Sequence, residues 1–172
     1  MTGHDESGKS VVVSDDTVAP QVPMLLAGSE FHLLWGADEP PRFPGEGSQP
    51  RWHSYFPPVG GFRFSFVTLP PGTAAADEQQ LDLAEALADA EAKLPGLLAH
   101  MDPDAPGMHT TDTVDVGVVL QGTLILELDD GAEVTLHPGD TYVQNGTRHR
   151  WRNPGDTPAR FAVFISGAHR TG

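Results

Sequence analysis

The chain has 172 residues, 24 acidic against 10 basic side chains for a formal charge of −14, and no cysteine. Its length is about that of one domain, and its charge repels phosphate backbones and anionic lipid, which makes nucleic acid and membrane surfaces poor partners. The missing cysteines exclude disulfides, thiolate metal sites, iron–sulfur clusters and cysteine nucleophiles. No stretch approaches the ~18 consecutive apolar residues of a spanning helix. Met1 to Glu6 lacks the basic start and apolar run of a secretory signal, so a cytoplasmic location is expected.

Glycine and proline, 19 and 16 residues, punctuate the chain too densely for many long helices. Short strands joined by turns are expected instead. Val11–Val13, between two polar turns, reads as the first, and Phe31–Trp35 as the second. Residues 36–61, rich in proline and glycine, read as an extended loop that wraps a barrel. From Phe62 to Leu69 the alternation is strict at first, placing Phe62, Phe64 and Phe66 on one face of a half-buried strand. Residues 77–94 are rich in Ala, Leu and Glu and read as one helix, with Leu83, Leu87, Ala90 and Leu94 at helical spacing and a stop at Pro95-Gly96. That helix would cover one side or mouth of the sheet.

From Met108 onward the pattern is strand and turn. The runs are 114–121, 123–128, 133–136, 140–144, 147–151 and 160–166, with Asp-Gly and Asn-Gly turns among the connections. Six short strands at about ten-residue spacing predict an antiparallel barrel or sandwich. A single domain is expected, with N-terminal strands and the wrapping loop over 1–58, the barrel over 60–168, and the helix inserted at about 77–94.

Candidate chemistry concentrates in two segments. Over 147–153, His149, Trp151 and Asn153 share one face, while Arg148, Arg150 and Arg152 share the other. An arginine stripe belongs in water, so the histidine face points inward. The stripe itself reads as a solvated edge paired with acids of the same chain; a subunit interface is the alternative. The second segment, His109 to Asp115, places His109 and Thr111 on one side of an extended chain. Tyr142 and Gln144 share a face on a third run, so His109, Thr111, Gln144, His149 and Trp151 are expected to line the interior, with Tyr142 close by. Two inward histidines and a carboxylate suit a divalent metal. No Gly-x-Ser-x-Gly elbow and no phosphate-cradling glycine loop occurs.

These residues resemble the cupins, small jelly-roll barrels. Asp115, followed after six residues by Gly122, resembles the end of the first cupin motif, with Asp for Glu, and His109 stands where its first histidine belongs. Gly139-Asp140, Gly146, His149 and Asn153 resemble the second motif, one residue short and with Gln144 in place of proline. The whole string is similar to a subset of bacterial one-barrel cupins with the pattern H-x-T-D-T-x-D followed by Q-x-G-T-x-H-x-W-x-N.

The resemblance implies a mainly β fold, a cupin-type double-stranded β-helix with one helix inserted before the first motif, and a homodimer joined through edge strands. It also implies a site. His109, Asp115 and His149 would hold Fe, Mn, Zn or Ni, with Thr111 standing where a third histidine is usual. Without metal, Gln144, Thr111 and His149 would hydrogen-bond a small organic ligand, with Trp151 and Tyr142 against it. The expected function is an enzyme of oxidation, isomerisation, dehydration or cyclisation, with His149 and His109 as catalytic residues. The alternatives are a metal-free binding or sensing module and a structural barrel.

Overall fold

Runs of β-branched and aromatic residues between glycine, proline and asparagine turns form ten strands in the computed structural model, which describes residues 1–72 and 81–171. β1 (Thr2–His4) and β2 (Ser10–Val12) make a small hairpin. A five-stranded sheet is built from β3 (Glu30–Ala37), β4 (Phe62–Leu69), β5 (Thr113–Gln121), β8 (Thr141–Asn145) and β10 (Ala159–Gly167). Its order is β3-β4-β10-β5-β8. A three-stranded sheet in the order β7-β6-β9 joins β6 (Leu124–Glu127), β7 (Glu133–Leu136) and β9 (Arg150–Arg152). All these pairings are antiparallel, and the expected mainly β architecture is the one the chain adopts. The core includes Val119 and Leu124 and the inward side of β10, Phe161, Val163 and Ile165.

The helix α1 spans Leu83–Lys93, capped by Asp82, whose carboxylate accepts from the amides of Ala84 and Glu85. Of the expected range, 77–80 lies outside the described residues. The buried stripe is Ala86, Ala90 and Leu94, while Leu83 and Leu87 face solvent. The helical spacing holds, but the buried face is turned by about one residue, because the small alanines let the helix sit close to the turn Met24–Leu26. Two polar ties fix it there: the Met24 amide donates to Asp89, and Lys93 donates to the Val22 carbonyl.

β4 is amphipathic in the opposite sense to the one its phenylalanines suggest. Arg63, Ser65 and Val67 face the interior; Phe64 is 37 % exposed and faces out. Alternation defines two faces without saying which is inside, and the register with β10 decides it. Arg63, Ser65 and Val67 lie opposite Ile165, Val163 and Phe161, all buried. Outside, Phe64, Phe164, Val116 and Val143 form an apolar row across four strands.

Arg63 explains how a charge can occupy that inner face. Its Nη1 donates to the carbonyls of Ala37 (2.8 Å) and Phe62 (2.9 Å). Nη2 donates to the Ser54 carbonyl (2.8 Å) and to Asp38, and Nε also reaches Ser54. The Trp52 ring lies 4.5 Å from the guanidinium carbon. Gly36 makes room for that ring, since a Cβ there would stand 2.2 Å from it. Residues 52–54 of the wrapping loop are thus clamped to the sheet, and the clamp holds the next two residues, Tyr55 and Phe56, against the core.

Candidate functional site

The two histidines singled out in the sequence meet. Each donates its backbone amide to the other's carbonyl, at 2.9 and 3.0 Å, a closed antiparallel bridge that places both side chains on one face. Their ring centroids are 4.1 Å apart. His109 Nδ1 donates to the Gly107 carbonyl at 3.1 Å, and His149 Nδ1 to the Thr147 carbonyl at 2.9 Å. We assign both rings the Nδ1–H tautomer on these contacts. Neither Nε2 has a hydrogen-bond partner among the described residues, so each presents a lone pair.

Both rings line a cavity of about 240 Å³ between the two sheets. Its walls are mostly apolar, with a cluster of aromatic rings. Trp151 packs against Tyr142 at 4.6 Å and Phe161 at 5.4 Å between centroids, and Tyr55 and Phe56 come from the clamped loop. Among the described residues, Asp115 is the one carboxyl in the wall. Burial, and then the nearby His109, push the His149 imidazole down to about 4, although the Thr147 carbonyl favours its protonated form. Burial, with His100 adding to it, also holds His109 below the usual imidazole range. Burial lifts Asp115 to about 6, opposed by the Thr113 hydroxyl. The Tyr142 hydroxyl, buried and near Asp115, is raised and stays neutral.

Of the expected lining, His109, His149, Trp151 and Tyr142 face the cavity. Gln144 and Thr111 are buried outside it. Gln144 stands behind His149: its Nε2 donates to the Thr147 carbonyl at 2.9 Å and packs 3.1 Å from the imidazole Nδ1. Thr111 spends its hydroxyl on Thr113, at 2.8 Å. Strand parity places a side chain inside but does not say whether a neighbour stands between it and the cavity. Asn153 is a tie, donating to Leu69, Pro70 and Thr157 carbonyls and accepting from the Gly155 amide. His53, in the wrapping loop, is exposed and pairs with Asp38. Tyr55 and Phe56 were missed as walls, and their only signal was an aromatic cluster inside a proline-rich loop.

A divalent ion asks for at least three converging donors. Among the described residues no group of three or more His, Asp or Glu side chains is placed to hold one. The expected trio of His109, Asp115 and His149 is reduced to the histidine pair. Asp115 acts instead on Tyr142 and Tyr55, and the place of a third imidazole is taken by the engaged Thr111. The donor set does not fit a closed metal site.

Residues 97–165, which carry both histidines and Asp115, match the cupin domain model Cupin_2. That segment is similar to a cupin domain. The chain is 29 % identical over 166 residues to phomopsin biosynthesis cluster protein C' of Diaporthe leptostromiformis, covering 96 % of this chain and 75 % of that protein. It is 26 % identical over 170 residues to a cupin-domain-containing oxidoreductase of Neurospora crassa, covering 96 % and 70 %. Among solved structures, a sugar phosphate isomerase of the cupin superfamily from Silicibacter pomeroyi superposes with a TM-score of 0.48 at 18 % identity, over 91 % of this chain and 73 % of that one. The described residues include no helix long and apolar enough to cross a membrane.

Proposed function

We propose that the protein is an enzyme that binds a compact organic molecule in the barrel cavity and moves protons on it. The observation that carries this reading is the histidine pair, with both Nδ1 atoms tied to backbone carbonyls and both Nε2 atoms free in an apolar cavity. A neutral imidazole so held can take a proton without first breaking a bond to the protein. The cavity, about 240 Å³, is smaller than the roughly 300–1,000 Å³ of drug-sized sites, which supports a small substrate. Relatives named as an oxidoreductase and as a biosynthesis cluster protein support an enzyme of small-molecule chemistry.

His149 Nε2 takes the proton from a carbon beside a carbonyl, and the C–H electron pair passes into an enolate. The imidazolium then returns that proton to another carbon, which is isomerisation, or to a leaving hydroxyl, which departs as water. Burial and the nearby His109 disfavour the imidazolium, so the proton is readily given back.

Deuterium incorporation from D₂O into the α-carbons of compact ring ketones, such as cyclohexanone and acetophenone, tests this by mass spectrometry. Exchange faster than in buffer and lost in His149→Gln is expected. Equal rates for the two proteins would overturn the reading.

A further inference from the structure

Two buried polar atoms of the cavity residues have no partner among the described residues: Asp115 Oδ1 and the Tyr142 hydroxyl. Each residue is 8 % exposed, and both line the cavity with the histidines. Groups of this kind are almost always satisfied in folded proteins, and leaving one unmade costs more than a hydrogen bond contributes.

The register brings the two together. Asp115 lies opposite Gln144 and Gly117 opposite Tyr142, so Asp115 and Tyr142 are diagonal neighbours on the inner face of β5 and β8. Gly117 draws the phenol further over β5. A Cβ on Gly117 would stand 2.4 Å from the Tyr142 hydroxyl oxygen and 2.3 Å from its ring carbon Cζ. Only the absence of a side chain lets the hydroxyl lie across that strand, two residues from Asp115. The two groups make no hydrogen bond to each other.

We infer that Asp115 and Tyr142 form an acceptor–donor anchor for a hydroxyl group on a compact, uncharged ring. A carboxylate only accepts, while a phenol hydroxyl can donate. One ligand hydroxyl satisfies both by donating to Asp115 Oδ1 and accepting from Tyr142. A carbonyl oxygen leaves Asp115 unpaired, and a ligand carboxylate meets a like charge. The aromatic wall formed by Trp151 and Phe161 takes the ring. This assignment deepens the proton-transfer reading and rests on it for the substrate's fate, but the anchor itself is a binding property.

Calorimetric titration at pH 7.5 with phenol, toluene and benzoate as probes tests it. Phenol should bind at least roughly tenfold more tightly than toluene, since toluene leaves two buried groups unpaired, and benzoate should not bind. Tyr142→Phe removes one oxygen only, and it should bring the phenol-to-toluene ratio close to one; Asp115→Leu should do the same. The ratio should persist in His149→Gln, which separates the anchor from proton transfer. Equal binding of phenol and toluene, or a preference that survives both anchor substitutions, overturns the anchor and leaves the histidine chemistry standing. Absence of binding by either neutral probe removes the cavity as a small-molecule site, and both readings fall.

Discussion

Arg63 and Asp115 sit on one row of the five-stranded sheet, each opposite Ile165 of the strand between them. Both are charged, inward and buried, at 1 % and 8 % exposure. Around Arg63 the guanidinium donates to the Ala37, Phe62 and Ser54 carbonyls and to Asp38. Around Asp115 an oxygen is left without a partner, and so is the neighbouring Tyr142 hydroxyl. A buried charge whose bonds are all made within the protein is structure. One whose bonds await completion in the wall of a cavity points to a ligand there. The segment 148–152 repeats the contrast: Arg148, Arg150 and Arg152 are matched by Asp102, Asp129, Glu127 and Glu133, while His149 and Trp151 turn to the cavity.

Substitutions can break this contrast from either side. Arg63→Met should cost the most, about 3–5 kcal/mol in urea unfolding, because it strands the Ser54 and Ala37 carbonyls and leaves Asp38 without its main cation. Asp115→Asn should go the other way and stabilise the protein at pH 7 by about 2–3 kcal/mol. The sign follows from the raised carboxyl. The folded state holds the Asp115 proton more tightly than the unfolded state, so wild-type stability from this group is full below about 4. It is lost as the pH rises to about 6. The gain in the variant should therefore grow over that window and level off above it.

His149 works in the opposite sense. Its pKa is lowered to about 4, so its neutral burial is stable above the ordinary imidazole value of 6.5 and is lost as the pH falls toward 4. Removing the Asp115 contribution should leave a steeper rise of stability with pH between those limits.

Gly117→Ala should cost about 1–3 kcal/mol by overpacking Tyr142, and it should abolish the phenol preference in calorimetry by displacing the hydroxyl. Smallest of all should be Arg152→Ala. Its side chain is 39 % exposed and Glu127 keeps Arg150, so the change in urea unfolding should stay within about 1 kcal/mol.

The strands after Met108 were legible because alternation, turn residues and spacing agree there; parity turned His109 and His149 inward, and the bridge that sets one opposite the other comes from the fold. What alternation leaves open is the direction of a strand's faces, and β4 shows why. Three phenylalanines look like a core face, yet the interior position goes to Arg63 because a loop 10 residues earlier supplies Trp52 and Ser54 to hold it. That compensation is non-local and has no trace in the alternation. The expected ligands divided for a similar reason. Gln144 and Asp115 are cross-strand partners, but one is spent on supporting His149 and the other faces the cavity, a distinction set by packing in the layer between them. Gly117, whose missing side chain steers Tyr142, gave no signal beyond being a glycine inside a strand.

The central claim is that the histidine pair presents two free Nε2 lone pairs to the cavity. Nitrogen-15 NMR of the imidazoles across a pH titration measures this directly. Both His109 and His149 should be neutral at pH 7 and protonated at Nδ1, with His149 titrating near 4. A His149 ring that is charged at pH 7, or that carries its proton on Nε2, would contradict the account.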